Sequence, residues 1–154
     1  MTRGEAAKER FLSGYNCAQA VLLSFSDLTG LDEKTAMRLA SSFGGGMGRL
    51  REVCGAVSGM FMVAGLLYGQ DDVPENKEKV AHYALVQELA AKFRENNGSI
   101  ICRELLANIT NDATPNAEPR TSAYYTKRPC SALCAAAAEI MAAYIQEHPY
   151  QKNG

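Results

Sequence analysis

Eighteen consecutive residues without a formal charge, Val53 to Gln70, limit the folds that this sequence can adopt. Such a segment has to be kept from water, either in a lipid bilayer or in the interior of a protein. A bilayer core takes about 20 predominantly apolar residues, whereas this segment contains Gly55, Gly59, Gly65 and Gly69. We therefore expect no membrane insertion and predict a central helix, in which glycines four residues apart let other helices approach closely.

Helix start signals on both sides of this segment predict an all-α fold. Thr2 with Glu5 and Asn16 with Gln19 form capping-box patterns, and Asp32 is a suitable N-cap. Apolar residues recur at helical spacing between these signals, and no pattern of paired strands is present. The predicted helices cover about residues 3–13, 17–30, 33–43, 52–69, 74–97, 99–106 and 129–148. We predict an irregular bundle of about six to seven helices.

The length of 154 residues predicts one domain, residues 1–154, built around one core. Residues 108–128 are polar and include Pro115 and Pro119. Proline and polar clusters between periodic segments are typical of loops, so we predict a long excursion at this place.

Charge and the amino terminus restrict the partners and the compartment. The 16 basic and 17 acidic residues are interspersed, so no basic patch for nucleic acid is visible. Residues 1–10 are rich in charge and lack the apolar segment of a secretory signal. Five cysteines, an odd number, argue against a structural disulfide framework. We expect a cytoplasmic protein without a nucleic-acid partner, and a homo-oligomer is compatible with the sequence.

Four cysteines stand at the predicted starts of separate helices: Cys17, Cys54, Cys102 and Cys130. There, unpaired N–H groups and the helix dipole stabilise a thiolate and lower its pKa from about 8.5. Such positions suit nucleophilic or metal-ligating sulfur. Cys134 lies one turn after Cys130, where it can act as a resolving thiol, a further ligand or a core residue. The alternative is that all the cysteines fill the core as small apolar side chains.

Several segments around these cysteines form a recognisable pattern. They are Tyr15–Val21, Phe43–Gly48, Cys54–Ala56 with Gly59 (CGAxxG), Cys102–Leu105, and Cys130 with Leu133, Ala136 and Ala137. In these segments the sequence resembles the C_GCAxxG_C_C family, small proteins with a redox role that are named after their cysteine pattern. The resemblance implies that Cys17, Cys54, Cys102 and Cys130 are the four characteristic cysteines, whereas Cys134 falls outside the pattern.

Two redox chemistries follow from this resemblance, and the first is an iron–sulfur cluster. Four cysteine ligands are the usual complement of such a cluster. The glycine segment before Cys54 would supply N–H donors and space, so Gly45, Gly46, Gly48 and Gly55 are the predicted cofactor-binding residues. We place this hypothesis first, with an unidentified redox partner that supplies or accepts the electron.

The second chemistry is a metal-free thiol–disulfide exchange. The intervals of 37, 48 and 28 residues between the four cysteines leave the pairing open. Structural zinc is less favoured, because its cysteine ligands usually occur in close pairs and no CxxC is present. A third hypothesis from another class is a non-catalytic helical interaction module with structural cysteines.

The glycine run lacks the preceding strand and the Lys-Ser or Lys-Thr pair of a P-loop, so we expect no nucleotide there.

Arg49 and Arg51 lie just ahead of Cys54 and leave two interpretations open. They can hold a thiolate or an anionic substrate, or they can be exposed charges at the start of a helix.

Overall fold

The structure is a computed structural model that describes residues 1–150, and its regular secondary structure in this range is helical. The all-α prediction is confirmed. The helices are α1 (Arg3–Leu12), α2 (Cys17–Leu23), α3 (Ser26–Thr29), α4 (Glu33–Ala40), α5 (Gly55–Tyr68), α6 (Asn76–Asn97), α7 (Cys102–Leu105), α8 (Ser122–Lys127) and α9 (Cys130–Glu147), with a 3-10 turn at Ser41–Phe43 after α4.

Helix α5 is the uncharged segment, and it lies at the centre of the bundle between α2 and α9. A side chain at Gly59 would come within 2.7 Å of the Ala18 carbonyl oxygen in α2, so only glycine allows this helix contact. Gly65 faces open space, so the predicted close approach applies to the first half of the helix alone. Within residues 1–150, none of the helices has the length and apolar character needed to cross a membrane.

Helix α1 packs along α9 and buries Ala7 and Phe11. At the amino end the backbone N–H of Gly4 donates to Oε1 of Glu139 at 2.8 Å. At the other end the Phe11 ring meets the ring of Tyr125 edge to face, with 5.8 Å between centroids. Helix α1 therefore contacts both the last helix, α9, and the excursion of residues 108–128, to which Tyr125 belongs.

The predicted caps of the first helices are confirmed, and the differences lie where local signals compete. The Asn16 side chain accepts from the Gln19 N–H at 2.8 Å and starts α2. The predicted helix 17–30 is two helices, because Ser24 and Phe25 form tighter i to i−3 hydrogen bonds and interrupt the α-helical ladder. Helix α8 lies inside the predicted loop 108–128, since Thr121 caps it. The described residues therefore form nine helices where about six to seven were predicted.

The short sixth predicted helix begins later than its cap signal indicates. Ser99 accepts from the Ile101 N–H at 2.9 Å, but the N-cap of α7 is Ile101. Two extended backbone pieces cause this shift, because Val53 and Ile101 form an antiparallel bridge that keeps the chain out of helical conformation up to that point.

Candidate functional site

Cys17, Cys54, Cys102 and Cys130 line one cavity of about 50 Å³, here called the cysteine cavity. Cys17, Cys102 and Cys130 are the first residues of α2, α7 and α9, and Cys54 is the N-cap of α5. Cys54, Cys102 and Cys130 are buried, and Cys17 is partly buried. The structure thus brings sulfur from four distant places in the chain to the walls of a single space.

Two backbone hydrogen bonds hold Cys54 and Cys102 next to each other. The N–H of Cys54 donates to the carbonyl of Ile100 at 2.8 Å, and the N–H of Cys102 donates to the carbonyl of Glu52 at 2.6 Å. These bonds flank the bridge between residues 53 and 101. The starts of α5 and α7 are therefore coupled through main chain, which no local helical signal predicts.

The start of α2 is held by polar side chains on the other side of the cavity. Nδ2 of Asn16 donates to the carbonyl of Ala40 at 3.2 Å, and Nε2 of Gln19 donates to the carbonyl of Met37 at 3.1 Å. The same two residues form the capping box of α2. One pair of side chains thus fixes both the direction of the helix and its position against α4, and Cys17 is fixed with it.

The glycine segment forms a left-handed loop against the cysteine cavity. Residues 45–49 all have φ between 56° and 72°, and Arg51 has φ 62°. For a residue with a side chain this region costs about 1–2 kcal/mol, and Met47, Arg49 and Arg51 all occupy it. A Cβ at Gly46 would lie 2.6 Å from Cβ of Cys102, so a side chain there has no room.

The predicted cofactor-binding glycines differ in their position. Gly45, Gly46 and Gly55 line the cysteine cavity. A Cβ at Gly55 would lie 3.0 Å from Cβ of Cys17, so this glycine lets α5 start beside α2. Gly48 lines a neighbouring open groove instead. A Cβ at Gly48 would lie 3.8 Å from its nearest neighbour, the carbonyl oxygen of Ser42.

Cys134 contacts the site from behind Cys17. It is fully buried, and its thiol donates weakly to the carbonyl of Cys17 at 3.9 Å. The thiols of Cys17 and Cys130 are close enough to perturb each other's pKa values. Cys134 is not among the residues that line the cysteine cavity. Cys17 and Cys130 therefore face the cavity, and Cys134 lies behind them.

The thiol pKa values are raised, so the predicted lowering at helix starts is wrong for the free thiols of this fold. Burial raises the pKa of Cys54 to about 12. Burial also raises the pKa of Cys102, against the hydrogen bond and charge of Arg51, which lower it. The partial positive charge at the amino end of a short helix lowers a thiol pKa only weakly, and α7 has only four residues. The loss of hydration of the buried thiolate raises the pKa by more than the helix end lowers it.

At the Cys17 and Cys130 pair, the two thiols perturb each other. The neighbouring thiol of Cys130 lowers the pKa of Cys17, but the thiol of Cys134 and burial raise it, and the net pKa is well above the ordinary thiol value. The neighbouring thiol of Cys17 and burial both raise the pKa of Cys130. Without a bound cation, all four sulfurs that line the cavity are held as neutral thiols at neutral pH.

Three arginines complete the wall of the cysteine cavity: Arg51, Arg120 and Arg128. Arg51 is only 3% exposed, and its Nη1 donates to Sγ of Cys102 at 3.7 Å. Arg128 is paired with Glu118 at 2.8 Å. The sequence singles out Arg51 through its place just before Cys54, whereas Arg120 and Arg128 lie in the excursion of residues 108–128 and carry no motif that would identify them.

The excursion folds back over the glycine loop through these cations. Nε of Arg51 donates to the carbonyl of Asp112 at 2.9 Å, and Nε of Arg49 donates to the carbonyl of Thr114 at 2.7 Å. Arg120 donates to the carbonyls of Phe11 and Tyr15. Much of the cover of the site is thus built by hydrogen bonds from arginine side chains.

In the part of the chain that the structure describes, no three histidine, cysteine or carboxylate side chains are grouped so that they could hold one metal ion directly. The thiols surround a space instead of meeting at a point.

A comparison with protein-family models returned one description, putative redox-active protein (C_GCAxxG_C_C), which matches residues 15–144. All five cysteines fall within the matched range. No curated protein and no solved structure matches the chain significantly.

Proposed function

The chain belongs to the C_GCAxxG_C_C family, which is described by redox activity, and from this premise we propose that the cysteine cavity is a redox centre. In this proposal Cys17, Cys54, Cys102 and Cys130 ligate an iron–sulfur cluster, for which four cysteines are the usual complement. The observation that carries it is the convergence of these four thiols, from four separate helix starts, on one buried cavity.

The charge around the cavity fits an anionic group. Its lining includes three arginines and no carboxylate. Nη2 of Arg51 is buried and has no hydrogen-bond partner within residues 1–150. An unpaired buried cation is unfavourable, whereas a cluster held by four thiolates is negatively charged and would offer acceptor sulfurs to this N–H group. The donor set and the orphaned guanidinium therefore support the proposal together.

The surroundings of Cys102 are closely packed and largely apolar. Gly46 lies directly against Cys102, since a Cβ at residue 46 would lie 2.6 Å from Cβ of Cys102. Apolar side chains of Leu105, Leu106 and Leu133 complete the lining. They limit the access of water, which is one of the factors that set a cluster's reduction potential.

The bound cluster would accept and release single electrons. The chain's own task is to deprotonate and hold the ligands. Because burial raises the pKa of Cys54 to about 12, loading releases protons that the empty site retains. The charge of Arg51 would offset part of the negative charge of the loaded site. Free cysteines persist in a reducing compartment, so the proposal includes a cytoplasmic location.

A second candidate is a metal-free thiol–disulfide oxidoreductase, and the proximity of the Cys17 and Cys130 thiols in one cavity favours it. Oxidation would join these two sulfurs in a disulfide, release two protons and pass two electrons to an acceptor such as a small disulfide, which becomes two thiols. Cys134, which contacts the Cys17 carbonyl, would be the alternative resolving thiol, and the disulfide would then join Cys17 and Cys134.

Anaerobic purification distinguishes the two candidates. The cluster proposal expects visible absorbance, with iron and acid-labile sulfide in the protein, and loss of all three in Cys54→Ser. Cys134→Ser is the matched control and keeps them, because Cys134 does not line the cavity. Iron-free protein whose thiol count falls by two on oxidation supports the disulfide mechanism. Iron-free protein with five unreactive thiols overturns both.

A further inference from the structure

An open groove of about 290 Å³ lies beside the cysteine cavity, and we call it the arginine groove. Its lining includes Arg49, Arg51 and Arg120. The two spaces share Gly45, Arg51, Arg120 and Tyr124 as common walls. The groove therefore leads from solvent to the wall of the proposed redox centre.

The arginine groove carries more positive charge than its own carboxylates neutralise. Arg49 is paired with Asp112 at 3.1 Å. Glu118, the one carboxylate that lines the groove, is engaged by Arg128 at 2.8 Å. Two guanidinium groups, Arg51 and Arg120, have no carboxylate within ion-pair distance among residues 1–150. The Asp112 carboxylate is close enough for the charge of Arg51 to help lower its pKa, but it is paired with Arg49. Arg51 and Arg120 therefore have no counter-charge of their own.

Arg51 shows that this imbalance is built into the interior. Its side chain is only 3% exposed. Two of its nitrogens donate to neutral acceptors, the carbonyl of Asp112 and the thiol of Cys102. The third nitrogen, Nη2, has no partner in the described chain. A buried charge normally has a counter-charge, because removal from water is otherwise unfavourable.

Arg120 lines the same groove and is held there by neutral partners. It donates to the carbonyls of Phe11 and Tyr15, and its guanidinium lies 4.4 Å from the centre of the Phe11 ring. Carbonyls and rings orient a guanidinium but leave its full charge in place. Planar guanidinium groups are well suited to bind phosphate, sulfate and carboxylate.

We propose that the arginine groove binds a small molecule through an oxyanion group, a phosphate, sulfate or carboxylate, recognised by Arg51 and Arg120. The proposal that the groove binds an oxyanion depends only on the unbalanced charges of Arg51 and Arg120. The proposal that this oxyanion belongs to a substrate of the cysteine centre depends on the proposed function as well. The groove would hold the anionic group at the shared wall, and the rest of the molecule would extend along Gly45 and Tyr124.

Calorimetric titration of the reduced, metal-free 154-residue protein tests this proposal. Inorganic phosphate, sulfate and acetate are titrated separately at constant ionic strength in sodium chloride, so that general screening is the same throughout. We expect one binding site per chain, with affinity roughly tenfold or more weaker in Arg51→Met and in Arg120→Met, because each removes a charged donor. Arg38→Met, a change at an exposed arginine of α4, is the matched control and leaves the affinity unchanged.

Absence of binding beyond that of chloride in the wild-type protein overturns the proposal, as does an equal loss in Arg38→Met. Because the wild-type titration decides by itself, the test holds even where a methionine variant does not fold. Iron analysis of parallel anaerobic preparations keeps the two proposals separate. Phosphate binding by a protein that never takes up iron supports the groove and counts against the cluster.

Discussion

Arg51 Nη1 lies 3.7 Å from Sγ of Cys102, and this contact joins a buried cation to one of the four cavity sulfurs. The two residues lie at the same end of the antiparallel bridge between residues 53 and 101. Burial raises the pKa of Cys102, while the hydrogen bond and charge of Arg51 lower it. A positive charge at this distance stabilises whichever state of the centre has more negative charge.

Arg51→Met should shift the reduction potential of the iron-loaded protein to more negative values. Loss of a hydrogen bond and a positive charge destabilises the reduced, more negative state. A loss of about 1.4 kcal/mol corresponds to about 60 mV for one electron. Potentiometric titration measures it, and Arg51→Lys should recover part of the shift. An unchanged potential in the methionine variant would show that this arginine does not act on the centre.

Gly46→Ala should prevent assembly of the site. The new Cβ would meet Cβ of Cys102 at 2.6 Å in a backbone conformation with φ 72°. Steric overlap and left-handed strain together lower the free energy of unfolding by about 2–4 kcal/mol. Chemical denaturation and iron content after reconstitution measure both effects.

Gly48→Ala is the control for that substitution. Gly48 has a similar φ of 56°, but its nearest contact is the Ser42 carbonyl at 3.8 Å. Only the backbone strain remains, about 1–2 kcal/mol, and iron content should be retained. Equal damage from the two alanines would mean that backbone strain, and not the space beside Cys102, makes Gly46 necessary.

The thiols of the reduced, metal-free protein should react slowly with iodoacetamide at pH 8. Burial raises the pKa of Cys54 to about 12, so its thiolate fraction there is about a thousandfold smaller than that of an ordinary thiol. Mass spectrometry of the alkylated protein, folded and in urea, gives the comparison. Fast labelling of Cys54 in the folded protein would contradict the raised pKa.

The same shift makes stability depend on pH in one direction. The unfolded thiol ionises near pH 9 and the folded one only near pH 12, so the folded state binds more protons between these values. The free energy of unfolding of the metal-free protein should therefore fall as pH rises from about 9 to 12. Denaturation of the wild type and of Cys54→Ala across this range measures it, and the alanine variant should show the smaller slope.

Asn16→Ala should weaken both the fold and the site. It removes the cap of α2 and the contact with the Ala40 carbonyl, which together contribute about 1–2 kcal/mol. Because Cys17 follows directly, iron content should fall as well. Asp32→Ala removes the equivalent cap of α4, with a similar loss of stability but full iron content. Equal iron content in Asn16→Ala and Asp32→Ala would show that the cap of α2 does not affect assembly of the site.

Local signals predicted much of this fold because they act within a few residues. The capping boxes at Thr2 and Asn16 depend on atoms three residues apart, and both are present. The excursion was less predictable. Helix α8 is six residues long, and its Thr121 cap is an ordinary residue in a polar segment.

The amino-acid sequence by itself determined where most helices begin, that the uncharged segment lies inside, and that four cysteines stand at helix starts. Tertiary structure alone decided what surrounds those sulfurs. Arg51 meets Cys102 and Arg120 reaches Phe11 across separations of 51 and 109 residues. Burial of the thiols likewise comes from helices that are distant in the chain. The desolvation of a thiol and the charges around it depend on all its neighbours in space. The local helix dipole lowers a thiol pKa, but burial by residues distant in the sequence raises it by more, and no local sequence pattern predicts that burial.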